Sequence, residues 1–310
     1  MMQPLKIGNL KLKNPLLLAP MVDVTDLPYR LVCRKQGAAM AYTEMLNLGA
    51  IIHENKKTQN MMKTSKEDRP LGIQVTGNSV EDMKKAVPYF KNYDLVDINC
   101  GCPSDRIIGN SSGSHLLKTP EKIKSFISCL KNEGCIVTAK IRLGFKKNNV
   151  VEIAKEIEKA GADALTIHAR LASESYNVPA DWKWIADIKN KIGIPVIGNG
   201  DINSGQKARQ MLDIADGAMI ARAAIGDPTI FKQILYYLKT GKEKQSTLKE
   251  RIQSFREYIK IAKNYDLVEI PRIKRLGCHF IKGQEGSARM RGELMSLQTL
   301  EEIEQFVRKI

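Results

Sequence analysis

The residues best equipped for chemistry begin with a thiol in a constrained setting, Asn99-Cys100-Gly101-Cys102-Pro103. Glycine allows a tight backbone path before Cys102 and proline fixes the φ angle after it, so the motif can hold that thiol rigidly for a chemical role. The Cys100/Cys102 spacing also suggests a metal site, but no second Cys or His cluster with ligand spacing accompanies it, and metal is the weaker reading. Cys33, Cys129 and Cys135 read as small buried hydrophobes. Further polar groups are scattered along the chain: Glu44, Gln74, Lys140 with Arg142, His168 with Arg170, Asn199-Gly200-Asp201 and Ala221-Arg222. Gln74 offers both donor and acceptor, as the edge of a pyrimidine-like ring requires. Lys140 can place positive charge beside an electron-accepting ring system and stabilise its reduced, anionic form. Gly200 lets backbone N–H groups approach a phosphate, and Arg222 is a bidentate cationic partner for one.

What positions these residues is a repeated unit. Eight short apolar runs, at 16–19, 40–42, 71–75, 95–98, 136–139, 164–167, 195–198 and 217–220, are each followed by a polar loop and then a helix-like stretch. Apolar residues recur at helical spacing over 80–90, 121–131, 150–160 and 205–212. Strands alternating with helices imply a parallel sheet with crossovers. Eight units in this length fit a closed (β/α)8 TIM barrel better than an open sheet, and no G-x-G-x-x-G follows the first run. In such a barrel the working residues stand at the C-terminal ends of the strands. The polar residues above fall there, together with Pro20 and Met21 after the first run and Asn99 at the end of the fourth. A single Gln or Asn in that place could simply cap a helix; the set as a whole marks the barrel mouth. The loops after strands seven and eight form this fold's common phosphate site, and they carry Gly200 and Arg222. Flavin mononucleotide (FMN) has the matching phosphate, polyol and pyrimidine edge.

The alternation stops near Lys239, and 240–246 reads as a polar linker. Helical periodicity then dominates, most clearly at 248–262 and 300–307. The expected division is a barrel over 1–240 and a small all-helical domain over 241–310. The whole chain of 310 residues carries a formal net charge of +15 from 49 Lys and Arg against 34 Asp and Glu, and residues from 241 onward hold fifteen basic and ten acidic ones. Such an excess attracts a polyanion, nucleic acid first among candidates, although generic basic solubility would also account for it. No run of about 18 apolar residues is present, which excludes a helical membrane span. The N-terminal stretch lacks the apolar core of a secretory signal, so a cytoplasmic protein with reduced cysteines is expected; a monomer is the separate expectation for its assembly.

The motifs together resemble the tRNA-dihydrouridine synthase family. The resemblance rests on Leu18-Ala19-Pro20-Met21 with Val24-Thr25-Asp26 and Tyr29-Arg30, then Tyr42-Thr43-Glu44-Met45, then Asp97 through Pro103 with Gly113 and Leu116-Leu117. It continues through Lys140-Ile141-Arg142-Leu143-Gly144, His168-Ala169-Arg170, Ala180-Asp181-Trp182, Asn199-Gly200-Asp201-Ile202 and Ala221-Arg222-Ala223. In the tail, His279-Phe280-Ile281-Lys282-Gly283 with Arg289 and Arg291 is similar to that family's tRNA-contacting motif, in looser form.

The resemblance implies FMN across the barrel mouth, with Pro20 and Met21 beside its ring and Gln74 and Lys140 at its polar edge. It places His168 on the ribityl-phosphate side and Gly200 and Arg222 at the phosphate, within a cofactor set that includes Asn199, Asp201 and Ala221. NADPH would reduce the flavin, hydride would pass to carbon-6 of a uracil flipped out of tRNA, and Cys102 would protonate carbon-5. Asn99 would orient the base, and Arg142, Arg170, Tyr176, Lys282, Arg289 and Arg291 would meet the RNA. Leu171, Ala172 and Val178 depart from the family pattern in a loop expected to face RNA, Ala221 stands where glycine is usual, and His115 stands where a small residue is usual. A different FMN barrel, of the dihydroorotate or enoate reductase type, would need neither the basic tail nor the net charge. A non-catalytic RNA-binding barrel would not need Cys102 or Lys140.

Overall fold

The computed structural model describes residues 4–283 and 285–310; the first three residues of the N-terminal stretch read above lie outside that range. Eight parallel strands form its centre: β1 Leu16–Leu18, β2 Ala41–Tyr42, β3 Leu71–Thr76, β4 Leu95–Cys100, β5 Val137–Arg142, β6 Ala164–His168, β7 Val196–Asn199 and β8 Gly217–Ile220. From β2 to β8 each strand pairs with the next, and β8 returns to pair with β1. Between β1 and β2 the ring is joined by Leu18 N–H to Met40 O and Ala39 N–H to Leu16 O, both 2.9 Å. The longer helices on the outside are α1 Leu27–Lys35, α2 Val80–Ala86, α3 Pro120–Asn132, α4 Val150–Lys159, α5 Lys183–Lys189, α6 Gly205–Leu212 and α7 Ile230–Thr240, with shorter helical turns at Leu48–Ile52, Lys56–Met61 and Asp105–Gly109. This is the expected (β/α)8 barrel. The helix expected over 80–90 is α-helical only to Ala86 and tightens to a 3-10 turn over Val87–Phe90. Pro88 lacks the N–H that would continue the α pattern.

The two-residue period of the strands decides what enters the barrel. On β4, Val96, Ile98 and Cys100 join the layer under the helices, whereas Leu95 belongs to the separate core inside the ring. Asp97 and Asn99 follow Leu95 on the inner face. By the same alternation Gln74, Thr138, Lys140, Thr166, His168 and Asn199 point inward. The inner core below them is apolar: Leu17, Tyr42, Leu95, Ala164, Ile197 and Met219. A hairpin pairing Lys6–Ile7 with Leu10–Lys11, which the sequence pattern did not suggest, adds Leu5, Ile7 and Leu12 to that core. The barrel is therefore filled from one end with hydrocarbon and left polar at the other.

Gly241 ends α7 with a left-handed C-cap, φ 72°. Four helices follow: α8 Leu248–Asn264, α9 Ile270–Ile281, α10 Ser287–Ser296 and α11 Leu300–Lys309. Thr247 and Glu250 form a capping box at the start of α8, and Thr299 and Glu302 do the same for α11. The helices dock on the barrel through α1: Tyr29 packs against Tyr258 and Phe280, with ring centroids 6.0 and 6.2 Å apart. Arg272 of α9 is buried beside this contact. It pairs with Glu44 at 2.8 Å and Asp26 at 3.2 Å, while Glu44 also accepts from the N–H of Asp23 at 2.6 Å. Burial opposes the Arg272 charge, but these carboxylates outweigh it and hold its pKa above the usual guanidinium value. Glu44, expected to serve the barrel mouth, is thus committed to the C-terminal helices. Among the described residues no helix is long and apolar enough to cross a membrane.

Candidate active site

Strand register brings the inward polar residues into rows. Gln74 lies beside Asp97, Asp97 beside Thr138, Asn99 beside Lys140, Arg142 beside His168, and His168 beside Asn199. Asp97 accepts hydrogen bonds from Gln74 Nε2 at 2.7 Å and Thr138 Oγ1 at 2.6 Å. Gln74 Oε1 accepts from Asn99 Nδ2 at 2.9 Å, and Asn99 Oδ1 accepts from the N–H groups of Gly101 and Cys102 at 3.1 and 3.0 Å. The Cys102 loop is held further by Arg142 Nε, which donates to Gly101 O at 2.9 Å, and by Ser114 N–H, which donates to Cys102 O at 3.0 Å. Gly101 has room for a side chain and an ordinary φ, so it is not the glycine on which this loop depends. Gly113 is. Its φ is +60° and a Cβ there would meet Cys102 O at 2.9 Å. His115, in the same segment, is half-buried, and burial with Lys118 and Lys122 lowers its pKa.

Past Lys140, a cavity of about 450 Å³ is bounded by Pro20, Met21, Lys140, His168, Tyr176 and Asn199, together with Gly200, Asp201, Ala221 and Arg222. Lys140 Nζ donates to Asn199 Oδ1 at 3.1 Å, and Asn199 Nδ2 donates to Met219 O at 2.8 Å, so the ammonium is aimed by a residue that is itself fixed. Burial, and then the like charge of Arg142, pull the Lys140 ammonium down to about 8. His168 is driven down to about 2 by burial and by Lys140, Arg142, Arg170 and Arg222, and it stays neutral at physiological pH. Arg170 Nη1 lies 2.9 Å from His168 Nε2 and can only donate, so the imidazole carries its proton on Nδ1. So many cations around a neutral histidine make the cavity a receptor for an anion. Gly200 has φ +117°, and a Cβ there would meet Ala180 at 2.9 Å and His168 at 3.1 Å: the backbone approaches where no side chain fits. Asp201 accepts from Arg170 at 2.6 Å, Ala180 N–H at 2.9 Å and Arg222 at 2.8 Å. Burial works against its charge, but these donors hold its carboxyl below the ordinary range. Two larger hollows, of about 690 and 770 Å³, lie at Leu5–Lys6 and Pro195 and between α1, α8 and the chain end; the second is lined by several lysines and arginines, but neither lies at the C-terminal ends of the strands.

The expected RNA-facing residues divide. Arg142 and Arg170 are 2% and 1% exposed. Their guanidiniums are spent inside the protein: Arg142 on Gly101 O and Leu171 O, Arg170 on Val178 O, Tyr176 O and Asp201. They build the loop that contains Leu171, Ala172 and Val178 instead of offering charge to solvent. Tyr176 is 52% exposed. Its ring stacks on His168 at 5.9 Å with the Arg222 guanidinium 4.4 Å from its centroid. Lys282 and Arg289 are exposed just after α9 and on α10, and Arg291 bonds Ser287 at 3.0 Å; the hydrogen bonds described for the three stay within the C-terminal helices. Asn99 is 8% exposed and spends its carbonyl on the Cys102 loop, which leaves one Nδ2 hydrogen for a ligand. Sequence reasoning gave no separate part to Asp97, Thr138 or Arg272. The alternation along Leu95–Cys100 places Asp97 inside the barrel and could have drawn attention to it. Nothing local distinguishes Arg272 from a solvated helix charge.

Comparison with known proteins bears on the family and the fold. A family model described as "Dihydrouridine synthase (Dus)" matches residues 17–310. The tRNA-dihydrouridine synthase B of Yersinia pestis is 38% identical over 244 residues, 76% of this chain and 76% of that one. The Pseudomonas aeruginosa protein of the same name is 35% identical over 262 residues, 82% of this chain and 78% of that one. Among solved structures, the old yellow enzyme homologue from Zymomonas mobilis matches with TM-score 0.53 at 12% identity, over 81% of this chain and 95% of that one. Morphinone reductase matches with TM-score 0.56 at 12% identity, over 78% and 90% respectively. At that identity the two structures speak for the barrel alone.

Proposed function

Because this chain belongs to the dihydrouridine synthase family, a family of flavin-dependent oxidoreductases, we propose that it uses FMN and NADPH to reduce a uridine of tRNA to 5,6-dihydrouridine. The observation that carries this reading is a cysteine whose backbone N–H is held by Asn99, on the same barrel rim as a cavity that Lys140 and Arg222 line at the fold's phosphate site. Bound FMN, recharged by NADPH, would supply the hydride for carbon-6 of the uracil. The residues present fit it: Gly200 and Arg222 would hold the phosphate, neutral His168 could donate through Nδ1, and Pro20 and Met21 would lie beside the ring. Gln74, whose second amide hydrogen and second carbonyl lone pair are uncommitted, would meet the polar edge beside Lys140. Cys102 holds the proton for carbon-5, and Asn99 turns its remaining N–H to the base. Arg142 and Arg170 shape the loop that presents Tyr176 to the RNA. Residues 1–240 form the catalytic unit and 241–310 the tRNA-docking unit of a cytoplasmic monomer. Nucleoside mass analysis of tRNA from cells lacking the protein tests the whole: one dihydrouridine position should revert to uridine, and an unchanged pattern would overturn the assignment.

The cofactor assignment carries its own expected result. The purified protein should be yellow and release FMN, not FAD, on denaturation. Arg222→Ala should lower flavin retention about tenfold or more, because a charge-assisted bond to phosphate contributes about 1.5–3 kcal/mol. Its tRNA affinity should change far less. Protein that stays colourless after incubation with FMN would count against the flavin site itself.

For the tail, neutralising Lys282, Arg289 and Arg291 together should weaken tRNA binding and make log K less steep in log salt by about 2, at roughly 0.7–0.9 for each phosphate left without its cation. FMN content and the rate of flavin reduction by NADPH should stay at the wild-type level. Wild-type binding across the whole salt titration would move RNA docking elsewhere, to the barrel face around Tyr176.

A further inference from the structure

Resting on the reading of Cys102 as proton donor, we propose that Asp97 is a positioning residue that fixes the amide orientation of Gln74 and Asn99 and, through them, the backbone of the Cys102 loop. Asp97 is buried at the centre of the barrel, 1% exposed. An ionised carboxylate only accepts hydrogen bonds, so Gln74 must turn its NH2 group to it. The carbonyl of Gln74 then faces Asn99, which must answer with its own NH2. That leaves the carbonyl of Asn99 for the N–H groups of Gly101 and Cys102. If both amides were reversed, the NH2 of Asn99 would face those two peptide N–H groups, and none of these donors would have an acceptor. One buried charge thus sets the polarity of a chain of hydrogen bonds that ends at the peptide N–H groups of Gly101 and Cys102.

The surroundings keep that charge in place. Burial raises the Asp97 carboxyl to about 6, opposed by Thr138, Gln74 and Lys140, so it is ionised at neutral pH. Of the titratable groups beside it, Lys140 on β5 is the charged one. Tyr42 on β2 and Cys100 on β4 are pushed well up by burial and remain neutral. Thr138 donates to the other carboxylate oxygen, and either oxygen of a carboxylate serves Gln74 as acceptor.

The test is site-resolved alkylation of the full-length protein as purified, with the iodoacetamide rate at Cys102 read against half-buried Cys278. In Asp97→Asn, the amide can keep its oxygen toward Gln74 with its NH2 on the Thr138 hydroxyl, or turn its NH2 toward the Gln74 carbonyl, so the reversed register becomes accessible. Cys102 should alkylate about tenfold faster, the scale of leaving one buried donor without its partner, and kcat should fall similarly with KM for tRNA unchanged. Adding Asn99→Asp to that variant places the acceptor at the loop end and pairs every group in the reversed direction. The alkylation rate should return to wild type. Thr138→Val disturbs the same spot without altering polarity and should leave the rate unchanged. Wild-type alkylation in Asp97→Asn, no reversal in the double variant, or equal acceleration in Thr138→Val would each overturn the proposal. If the alkylation pattern holds while Cys102→Ala still forms dihydrouridine, the relay stands and the proton-donor reading falls.

Discussion

Cys102→Ala is expected to bind flavin and tRNA as wild type does and to lose about 10²–10⁴-fold in dihydrouridine formation, the usual contribution of a positioned general acid. The expectation follows from how much of the rim is devoted to this residue. Asn99, Arg142 and Ser114 all hold the backbone on either side of it, and Gly113 makes space for it. Its neighbour in the C-x-C spacing is a contrast. Cys100 faces outward into the helix layer, fully buried, with its thiol pushed up by burial and by Asp97. Cys100→Ala should therefore cost about 1 kcal/mol of stability as a small packing loss and leave the reaction near wild type. Quantifying dihydrouridine in tRNA after incubation with each variant separates the two. Equal and severe losses would instead point to a paired role for the cysteines.

Lys140→Met is the second large effect, and it should act in opposite directions on activity and stability. Removing the one ammonium aimed at the cavity should slow flavin-dependent turnover by about 10²–10³-fold, the scale for loss of one preorganised charge-stabilising donor. The pH dependence of the wild type has the matching sign. Turnover should fall as pH rises through about 8, where Lys140 loses its proton. For stability the folded pKa lies below the unfolded one, so the unfolded chain binds more protons between about 8 and 10.5 and folding becomes more favourable with rising pH across that window. Below it the buried charge is a standing cost. Lys140→Met should accordingly be more stable than wild type at pH 7, by roughly 1–2 kcal/mol after allowance for partial solvent screening and the missing bond to Asn199. Thermal melts across that pH range check this, and the advantage should fade toward pH 10.5. A variant less stable than wild type at pH 7 would mean that the Lys140–Asn199 bond outweighs the burial of charge.

Much of the fold was legible because its signal is periodic. Each of the eight apolar runs overlaps a strand, and the same two-residue period that hides Val96, Ile98 and Cys100 under helices turns Asn99, Lys140, His168 and Asn199 toward one opening. Chemical type could be read at those positions; commitment could not. Arg142 and Arg170 have the composition of RNA contacts, yet their partners are backbone carbonyls whose places depend on the trace of the loop. Glu44 stands at a strand end as a site residue would, but the residue that claims it is 228 positions further on. The N-terminal hairpin was missed for a related reason: two-residue strands are too short to show a period, and their stability comes from plugging the barrel.

The Arg272 cluster has a mechanical consequence. Its guanidinium is clamped between Glu44 and Asp26, and Glu44 also grips the N–H of Asp23, two residues beyond Met21 at the cavity. Swinging α9 away would strand a buried cation and two buried carboxylates at once, a penalty of about 3–5 kcal/mol. The helices that would grip the RNA and the rim that would do the chemistry thus share one rigid jig. A polynucleotide held at α10 would meet the barrel at a set span, and the nucleotide that fell at that span would be the one presented to Cys102. Evolution could retarget such an enzyme by re-siting the grip along the helices while leaving the catalytic rim untouched.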